Sequence, residues 1–178
     1  MIDYTKEELV ELLRKHPEKF NEWKAGQNDV DLSEVDLSGI VLNEIDFSDV
    51  DLNSSSFADS SVSLVKFINT DLTSVDFTRS KVLECDFSES LLTGADCSYA
   101  EMNYCNFQDC DMAGCILSET DLGNSDLTGA VNINASRFDD ATIWPEQDLL
   151  PEDFDGAYNE DLSSLKDEDD DLVISDYE

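Results

Sequence analysis

The chain has 178 residues, of which 10 are Lys or Arg and 43 are Asp or Glu, so its formal net charge is −33. The length suits one domain with flanking elements, and a hydrophobic content of 40% argues against a wholly disordered chain. The large negative charge argues against direct binding to nucleic acid or to an anionic membrane and favours a basic or DNA-binding protein partner. With no apolar run near the roughly 18 residues of a membrane span, we expect no membrane segment, and we expect no signal peptide.

Residues 1–27 are predicted to form an N-terminal helical cap. Thr5 begins a capping-box pattern that opens a helix, and Pro17 suits the first turn of a second helix. This segment is expected to cover the first repeats, although a partner-binding helix is the alternative. His16 is the single histidine, and we expect it to be a packed or half-exposed cap residue rather than a catalytic one. The apolar residues predicted for the covering face are Leu9, Leu12, Leu13, Phe20 and Trp23.

Residues 28–145 are dominated by a five-residue repeat. From Val30 to Gly129 the register continues through 20 consecutive pentapeptides. The central residue of each is apolar, and the residue two places earlier is Val, Ile, Ser, Thr, Cys or Ala. None of these 40 positions is charged, although 30% of the chain is, so the pattern is not accidental. We expect these two positions to point inward from a very short strand, with the remaining residues turning a corner.

The spacing of phenylalanine predicts the size of each coil. Phenylalanine recurs at intervals of 20 residues in two columns, half a turn apart. Four pentapeptides per turn stack each ring on the next, which predicts a square coil of 20 residues with a rise of about 4.8 Å. Five such coils form a rod about 24 Å long. The phenylalanines of this predicted core are Phe47, Phe67, Phe87 and Phe107 in one column and Phe57 and Phe77 in the other.

These repeats resemble the pentapeptide repeat proteins, whose consensus is a small residue, Asp or Asn, Leu or Phe, then two polar residues. The resemblance covers residues 30–143 and implies an all-β solenoid, a right-handed quadrilateral β-helix. In this chain Val, Ile and Cys often replace the small residue. After Leu127 the register slips by one residue, so we predict a bulge or short loop near Gly129 and Ala130. The last inward centres are then Ile133, Phe138 and Ile143.

Residues 146–165 are predicted to form a C-terminal cap or short helix. Trp144 and Pro145 are expected to close the last coil. Pro151 suits a first helical turn, whereas Gly156 weakens the helix. The apolar stripe of this segment is expected to cover the last coil, to form a homodimer contact, or to stay loose. It consists of Leu150, Phe154, Tyr158, Leu162 and Leu165.

Residues 166–178 are predicted to be a disordered acidic tail. The triplet Leu172-Val173-Ile174 is either part of a solvated tail or a short linear binding motif. The acidic run 167–171 lacks the Gly and the terminal Glu of a calcium loop.

The five cysteines are predicted to pack in the core rather than to bind metal. They occupy inward positions and lack the paired spacing and histidine partners of a zinc site. Their persistence as thiols indicates a reducing, cytoplasmic compartment. No phosphate loop, nucleophile elbow or triad spacing is present. We therefore expect no metal, no cofactor, no catalytic residue and no enzymatic activity. The cysteines are Cys85, Cys97, Cys105, Cys110 and Cys115.

Two surfaces are candidates for binding a protein. Folding the sequence into 20-residue turns gives four faces, and three of them align aspartates, the fourth face with Asp46, Asp86 and Asp126. Asp before the centre is also expected to serve the turn backbone. The predicted acidic binding residues are Asp31, Asp51, Asp71 and Asp111 on the first face, and Asp36, Asp76 and Asp96 on the second. The predicted apolar contact is a patch or dimer surface, and scattered exposed residues are the alternative. It consists of Val41, Leu64, Leu83 and Tyr104 on the third face, with Tyr99 at the neighbouring corner.

Three functions remain open at this point. Some members of the family resemble B-form DNA in width and charge and bind type II topoisomerases, so the resemblance implies a DNA mimic that modulates DNA gyrase or a related enzyme. Family members that protect gyrase often carry projecting loops, whereas the 20 repeats of this chain contain no loop insertion, which argues against this role. The charge is equally compatible with an immunity or antitoxin protein that neutralises a basic toxin or nuclease. The third function is an adaptor or scaffold that holds its partner through the apolar face or the tail triplet.

Overall fold

A computed structural model describes residues 4–156, and a four-sided parallel β-helix occupies most of them. Two helices come first, α1 (Lys6–Lys15) and α2 (Pro17–Lys24). Six short strands follow: β1 (Val30–Asp31), β2 (Val41–Asn43), β3 (Val50–Asp51), β4 (Ser61–Ser63), β5 (Lys81–Leu83) and β6 (Glu101–Asn103). Two 3-10 turns, Ile133–Ala135 and Gln147–Leu149, lie near the C-terminal end.

Parallel pairing joins residues that are 20 positions apart, which is the coil length that the phenylalanine spacing predicts. β1 pairs with β3, and β2, β4, β5 and β6 form one four-stranded sheet on the third face. Single bridges continue the same register on the other faces, from Asp36 with Ser56 to Asp111 with Val131. Each coil therefore adds one rung to four parallel ladders.

The interior is filled by the two inward positions of each pentapeptide, and all 40 of them are buried. The ring of Phe67 stacks on Phe47 at 5.5 Å and on Phe87 at 4.8 Å between centroids. In the second column Phe57 stacks on Phe77 at 5.1 Å. Rings of different columns meet edge to face, as Phe67 and Phe77 do at 6.1 Å, which is a favourable geometry for aromatic pairs.

The corners of the coil use left-handed backbone. The last residue of every pentapeptide from Glu34 to Gly129 has a positive φ, and 16 of these 20 residues are not glycine. Where the turn closes, the N–H group of Ile40 donates to the Leu37 carbonyl at 3.2 Å around Gly39, which is a type II turn. Left-handed backbone costs a non-glycine residue about 1–2 kcal/mol, so the parallel ladders must hold these corners against their local preference.

The helices α1 and α2 cover the first coil. Thr5 caps α1, since its hydroxyl accepts from the Glu8 N–H and the Glu8 carboxylate accepts from the Thr5 N–H. Leu9 and Leu13 are buried on the covering face. His16 lies at the junction of the two helices, with 56% of its side chain exposed.

Side chains of the cap also satisfy polar backbone groups of the first coil. The Lys6 ammonium donates to the Ser33 carbonyl at 3.1 Å, and the Arg14 guanidinium donates to the Asp36 carbonyl at 3.0 Å. The Asn21 amide accepts from the Asp46 N–H at 2.9 Å, and Lys24 donates to the carbonyl of Ser48. These bonds replace a missing preceding coil, as the end of a solenoid requires.

The C-terminal coil corrects the prediction of its register. The extra residue lies at the 3-10 turn Ile133–Ala135, after Asn132 with φ +60°, and not near Gly129 and Ala130. A second extra residue follows, because Ile143 pairs with Asp121 at a separation of 22. Inserting one residue moves the next side chain to the opposite face.

Ile143 is therefore not an inward centre. Its side chain is 53% exposed, whereas Phe138 is buried. The next residue, Trp144, packs edge to face on Phe138 at 5.1 Å. The prediction of Ile143 as a core residue is wrong because the sequence shows one slip of register where the chain makes two.

No α-helix starts at Pro151 within the described part of the chain, which ends at Gly156. Leu150 is extended, as a residue before proline prefers, and it is buried. The Leu127 N–H donates to the Leu149 carbonyl at 2.8 Å, so this segment extends the ladder instead. Phe154 packs on Trp144 with the centroids 4.7 Å apart. The predictions for Tyr158, Leu162, Leu165 and the acidic tail lie outside the described residues.

Candidate protein-binding surface

Aspartate before the central residue has a structural role at the corners. The Asp51 carboxylate accepts from the Asn53 N–H at 2.9 Å, and Asp71 accepts from Thr73 at the same distance. This bond fixes the turn that follows each strand, and it uses the Oδ1 oxygen. Eleven aspartates make it: Asp31, Asp36, Asp46, Asp51, Asp71, Asp76, Asp86, Asp96, Asp111, Asp121 and Asp126.

The first face holds its aspartates in one ladder. Asp31 pairs with Asp51, and Asp51 pairs with Asp71. Leu91 separates Asp71 from Asp111 in the same ladder. Neighbouring carboxylates on this face are therefore about 4.8 Å apart at the backbone, and their mutual repulsion disfavours the folded state unless cations balance it.

The aspartates of the second face lie beside cationic residues. Asp76 pairs with Asp96 across adjacent coils, and Asp36 pairs with Ser56. Arg14 of the cap donates to the Asp36 carbonyl at 3.0 Å. Arg79, which pairs with Asp59 at the next corner, also interacts electrostatically with Asp76. The second face is thus less negative than the first, which favours the first as the surface for a basic partner.

Carboxylates at the corners form a second group, which sequence reasoning did not assign to the binding surface. They occupy the last position of the pentapeptide, where they do not support their own turn as the aspartates above do. The signal that identifies them is this fifth position, because it projects from the coil. The group contains Glu34, Glu44, Asp49, Asp59, Glu84, Glu89, Asp109 and Glu119.

The first face and its two bordering corners together form what we call the acidic side. Between Val30 and Gly129 the acidic side carries eight carboxylates and no Lys or Arg. The cap contributes one cation at its end, because Lys6 contacts Asp31 at 2.6 Å. The eight residues are Asp31, Asp51, Asp71, Asp111, Glu34, Asp49, Glu89 and Asp109.

Hydrogen bonds keep the carboxylates at the capped end ionised. Donation from Lys6, and then from the backbone and hydroxyl of Ser33, lowers the pKa of Asp31 to about 2. Donation from the hydroxyl and N–H of Ser38 lowers the pKa of Asp36. These groups therefore carry full negative charge throughout the neutral range.

Only some of the predicted apolar residues lie together in the structure. Leu64 and Tyr104, 45% and 60% exposed, project from the corner between the third and fourth faces. Leu83 is half-buried beside them, and its carbonyl accepts from the Leu64 N–H at 3.0 Å. Val41 instead pairs with Ser61 at the start of β4, and Tyr99 lies at the opposite corner of the third face. The structure therefore brings together Leu64, Leu83 and Tyr104 but not Val41 or Tyr99.

The cysteine thiols are buried and free. Burial raises the pKa of Cys97 to about 12 and that of Cys110 to about 11. The Cys110 thiol donates to the Phe87 carbonyl at 2.7 Å. Among residues 4–156, no group of His, Cys, Asp and Glu is arranged to hold a metal ion. The same residues include no helix long and apolar enough to span a membrane.

A family model described as pentapeptide repeats matches residues 31–67, 70–103 and 105–144, with 8 copies. Among proteins with curated descriptions, none matches the chain significantly.

Solved structures with the same repeat are similar at low identity. A pentapeptide repeat protein from the Arabidopsis thaliana thylakoid lumen is 26% identical, over 66% of this chain and 70% of its own, with a TM-score of 0.34. One from the cyanobacterium Nostoc PCC 7120 is 20% identical over 74% and 86%, with a TM-score of 0.40. QnrB1, a plasmid-mediated fluoroquinolone resistance protein, is 16% identical over 63% and 80%, with a TM-score of 0.31.

Proposed function

The chain belongs to the pentapeptide repeat family, and we propose that it is a protein-binding rod that mimics DNA and modulates a DNA-binding enzyme such as DNA gyrase or another type II topoisomerase. Its density of charge carries the proposal. Between Val30 and Gly129 there are 20 acidic and 3 basic residues, a net charge of −17. Five coils span about 24 Å, so there is one net negative charge per about 1.4 Å, against about 1.7 Å in duplex DNA.

The acidic side supplies the contact surface of this rod. A groove that binds DNA presents Lys and Arg to phosphates, and the same side chains can pair with Asp51, Asp71 and Asp111. All three cations of the repeats lie elsewhere: Lys66 on the fourth face, Lys81 on the third, and Arg79 at the corner between the second and third. The rod therefore has a preferred orientation in a basic groove.

Rigidity favours binding by such a surface. The carboxylates are held by turn hydrogen bonds and by parallel pairing on both sides. Little conformational entropy is lost when a partner orders them, since they are already ordered. Charge complementarity also accelerates the encounter with a basic partner, and added salt weakens it.

Capture from a nuclease-treated lysate tests the proposal and identifies the partner. The full chain is immobilised, and bound proteins are eluted by rising salt or by added duplex DNA. We expect a topoisomerase to elute with salt and to be displaced by DNA. Elution of a toxin or nuclease under the same conditions would instead support an immunity or antitoxin role. A partner that survives both treatments would contradict binding through the carboxylates.

A further inference from the structure

From the corner between the third and fourth faces, we infer that the rod docks a basic amphipathic helix of a partner protein. We call this corner the mixed ridge. Successive coils place Glu44, Leu64, Glu84 and Tyr104 along it, and Leu83 widens it between Leu64 and Tyr104. Acidic and apolar side chains therefore alternate along the axis of the rod.

The apolar residues of the mixed ridge occupy costly positions. Leu64 has φ +54° and Tyr104 has φ +57°, a region that Asn tolerates better than Leu or Tyr. The chain itself places Asn69 and Asn124 at equivalent corners. Leu64 and Tyr104 leave 45% and 60% of their surface exposed, so the folded rod forgoes part of the apolar burial that they offer. A partner that covers them recovers this burial.

The spacing of the mixed ridge fits an α-helix laid along the rod. Leu64 and Tyr104 are two coils apart, about 9.6 Å, and seven residues of an α-helix span about 10.5 Å. Glu44 and Glu84 share this two-coil spacing and are offset by one coil. A helix with apolar residues at i and i+7 can therefore bring its residues near i+3 and i+10 to the glutamates.

The charges around the mixed ridge select a basic helix. Asp46 and Asp86 of the fourth face lie two residues beyond Glu44 and Glu84, and Lys66 pairs between them in the ladder. Lys24 of α2 also lies 3.9 Å from Asp46, so four carboxylates and two ammonium groups leave a net charge of −2 beside the apolar residues. Lys or Arg at the offset positions complements this charge. The mixed ridge borders the third face, which lies across the rod from the first, so this inference does not rest on the proposed DNA mimicry.

Two synthetic 21-residue peptides of equal composition probe the mixed ridge. In the first peptide, Leu repeats every seven residues, and Arg lies on the same face about halfway between successive Leu residues. In the second, the same Arg residues lie on the opposite face. Each is titrated into the ¹⁵N-labelled full chain. We expect backbone amide shifts at Glu44, Leu64, Glu84 and Tyr104, with the first peptide binding at least about fivefold more tightly.

Variants at matched corners complete the test. Leu64→Asn and Tyr104→Asn keep a residue that tolerates the left-handed turn, and each is expected to weaken binding of the first peptide about tenfold. Tyr99→Asn is the control, since Tyr99 is 56% exposed at an equivalent corner away from the mixed ridge. Equal losses for Tyr99→Asn and Tyr104→Asn, equal affinity of the two peptides, or shifts on the acidic side would overturn the inference.

Discussion

The ring of Phe20, in the N-terminal cap, lies 5.2 Å from the ring of Phe47, the first phenylalanine of the repeat column. Phe20 is fully buried although it precedes the repeats by ten residues. It also contacts Trp23 at 5.7 Å. The cap thus extends the cluster of aromatic rings in the core and covers the first coil with buried apolar side chains.

Replacing Phe20 tests how far the cap stabilises the rod. We expect Phe20→Ala to lower the free energy of unfolding by about 3–5 kcal/mol, because it leaves a cavity at the end of the stack. Urea denaturation measures this change. His16→Ala, at an exposed position of the same cap, should shift it by less than about 0.5 kcal/mol. Equal effects of the two variants would show that the cap does not depend on this contact.

Tyr104→Asn should stabilise the rod, because Tyr104 is 60% exposed and its backbone lies in the left-handed region. We expect the free energy of unfolding to rise by about 0.5–1 kcal/mol. The reverse exchange, Asn124→Leu at an equivalent corner, should lower it by a similar amount. Thermal and urea unfolding measure both. A loss of more than about 1 kcal/mol for Tyr104→Asn would mean that Tyr104 serves packing within the rod.

Burial should keep the thiols slow to react in the folded protein, although a hydrogen bond with the Cys105 thiol lowers the pKa of Cys85. With a pKa of about 11, Cys110 is about 0.1% thiolate at pH 8, and Cys97, at about 12, is less ionised still. An aromatic disulfide reagent should therefore react slowly before unfolding and titrate five thiols in denaturant. Rapid modification of even one thiol in the native protein would contradict the burial of these side chains.

Asp31 should contribute to stability in a pH-dependent way. Its pKa is about 2 in the folded protein against 3.8 as a free group, so the ionised form stabilises the fold. This contribution is complete above about pH 4 and disappears as the pH falls through about 2. Because 57% of its side chain is exposed, solvent screening should limit it to about 1 kcal/mol or less.

The pair of Asp31→Asn and Lys6→Met measures that contribution. Asn keeps an acceptor for the Ser33 N–H and removes the charge. We expect each variant to lose stability at pH 6, the double variant to lose less than the sum, and the difference to vanish near pH 2. Additive losses that do not change with pH would show that the Lys6–Asp31 contact contributes nothing.

The coil was predictable from the sequence because its inward positions exclude charge without exception. Phenylalanine spacing then determined the number of residues per turn, and pairs such as Val62 with Val82 have that register. The left-handed corners were not predictable, since Leu64, Arg79 and Tyr99 occupy them as well as glycine. Local preference is overridden there by the ladders on either side.

From the sequence, the candidate surface could be predicted only as columns of aspartates aligned between successive coils. The sequence aligns Asp51 with Asp71 and predicts a turn role for their carboxylates, but it does not identify the N–H group two residues later as the donor to each Oδ1. The corner carboxylates Glu89 and Asp109, which lie on the same side as those columns, were not assigned to the binding surface from the sequence. At the C-terminal end, the exposure of Ile143 depends on a second inserted residue that leaves no mark in the repeat pattern.

Binding of purified DNA gyrase to charge-matched variants tests the central claim most directly. One variant carries Asp51→Asn, Asp71→Asn and Asp111→Asn on the acidic side. The other carries Asp86→Asn, Asp121→Asn and Asp126→Asn on the third and fourth faces. Asn preserves the turn bond, as Asn106 does with the Gln108 N–H at 3.0 Å, so both should fold and both lose three charges.

We predict that the acidic-side variant binds gyrase at least about tenfold more weakly than the unaltered chain, with a weaker dependence on salt. The other variant should stay within about threefold, because only long-range attraction changes. Duplex DNA should compete with the unaltered chain. Equal affinity of the two variants, or binding that duplex DNA does not displace, would contradict mimicry of DNA by the acidic side.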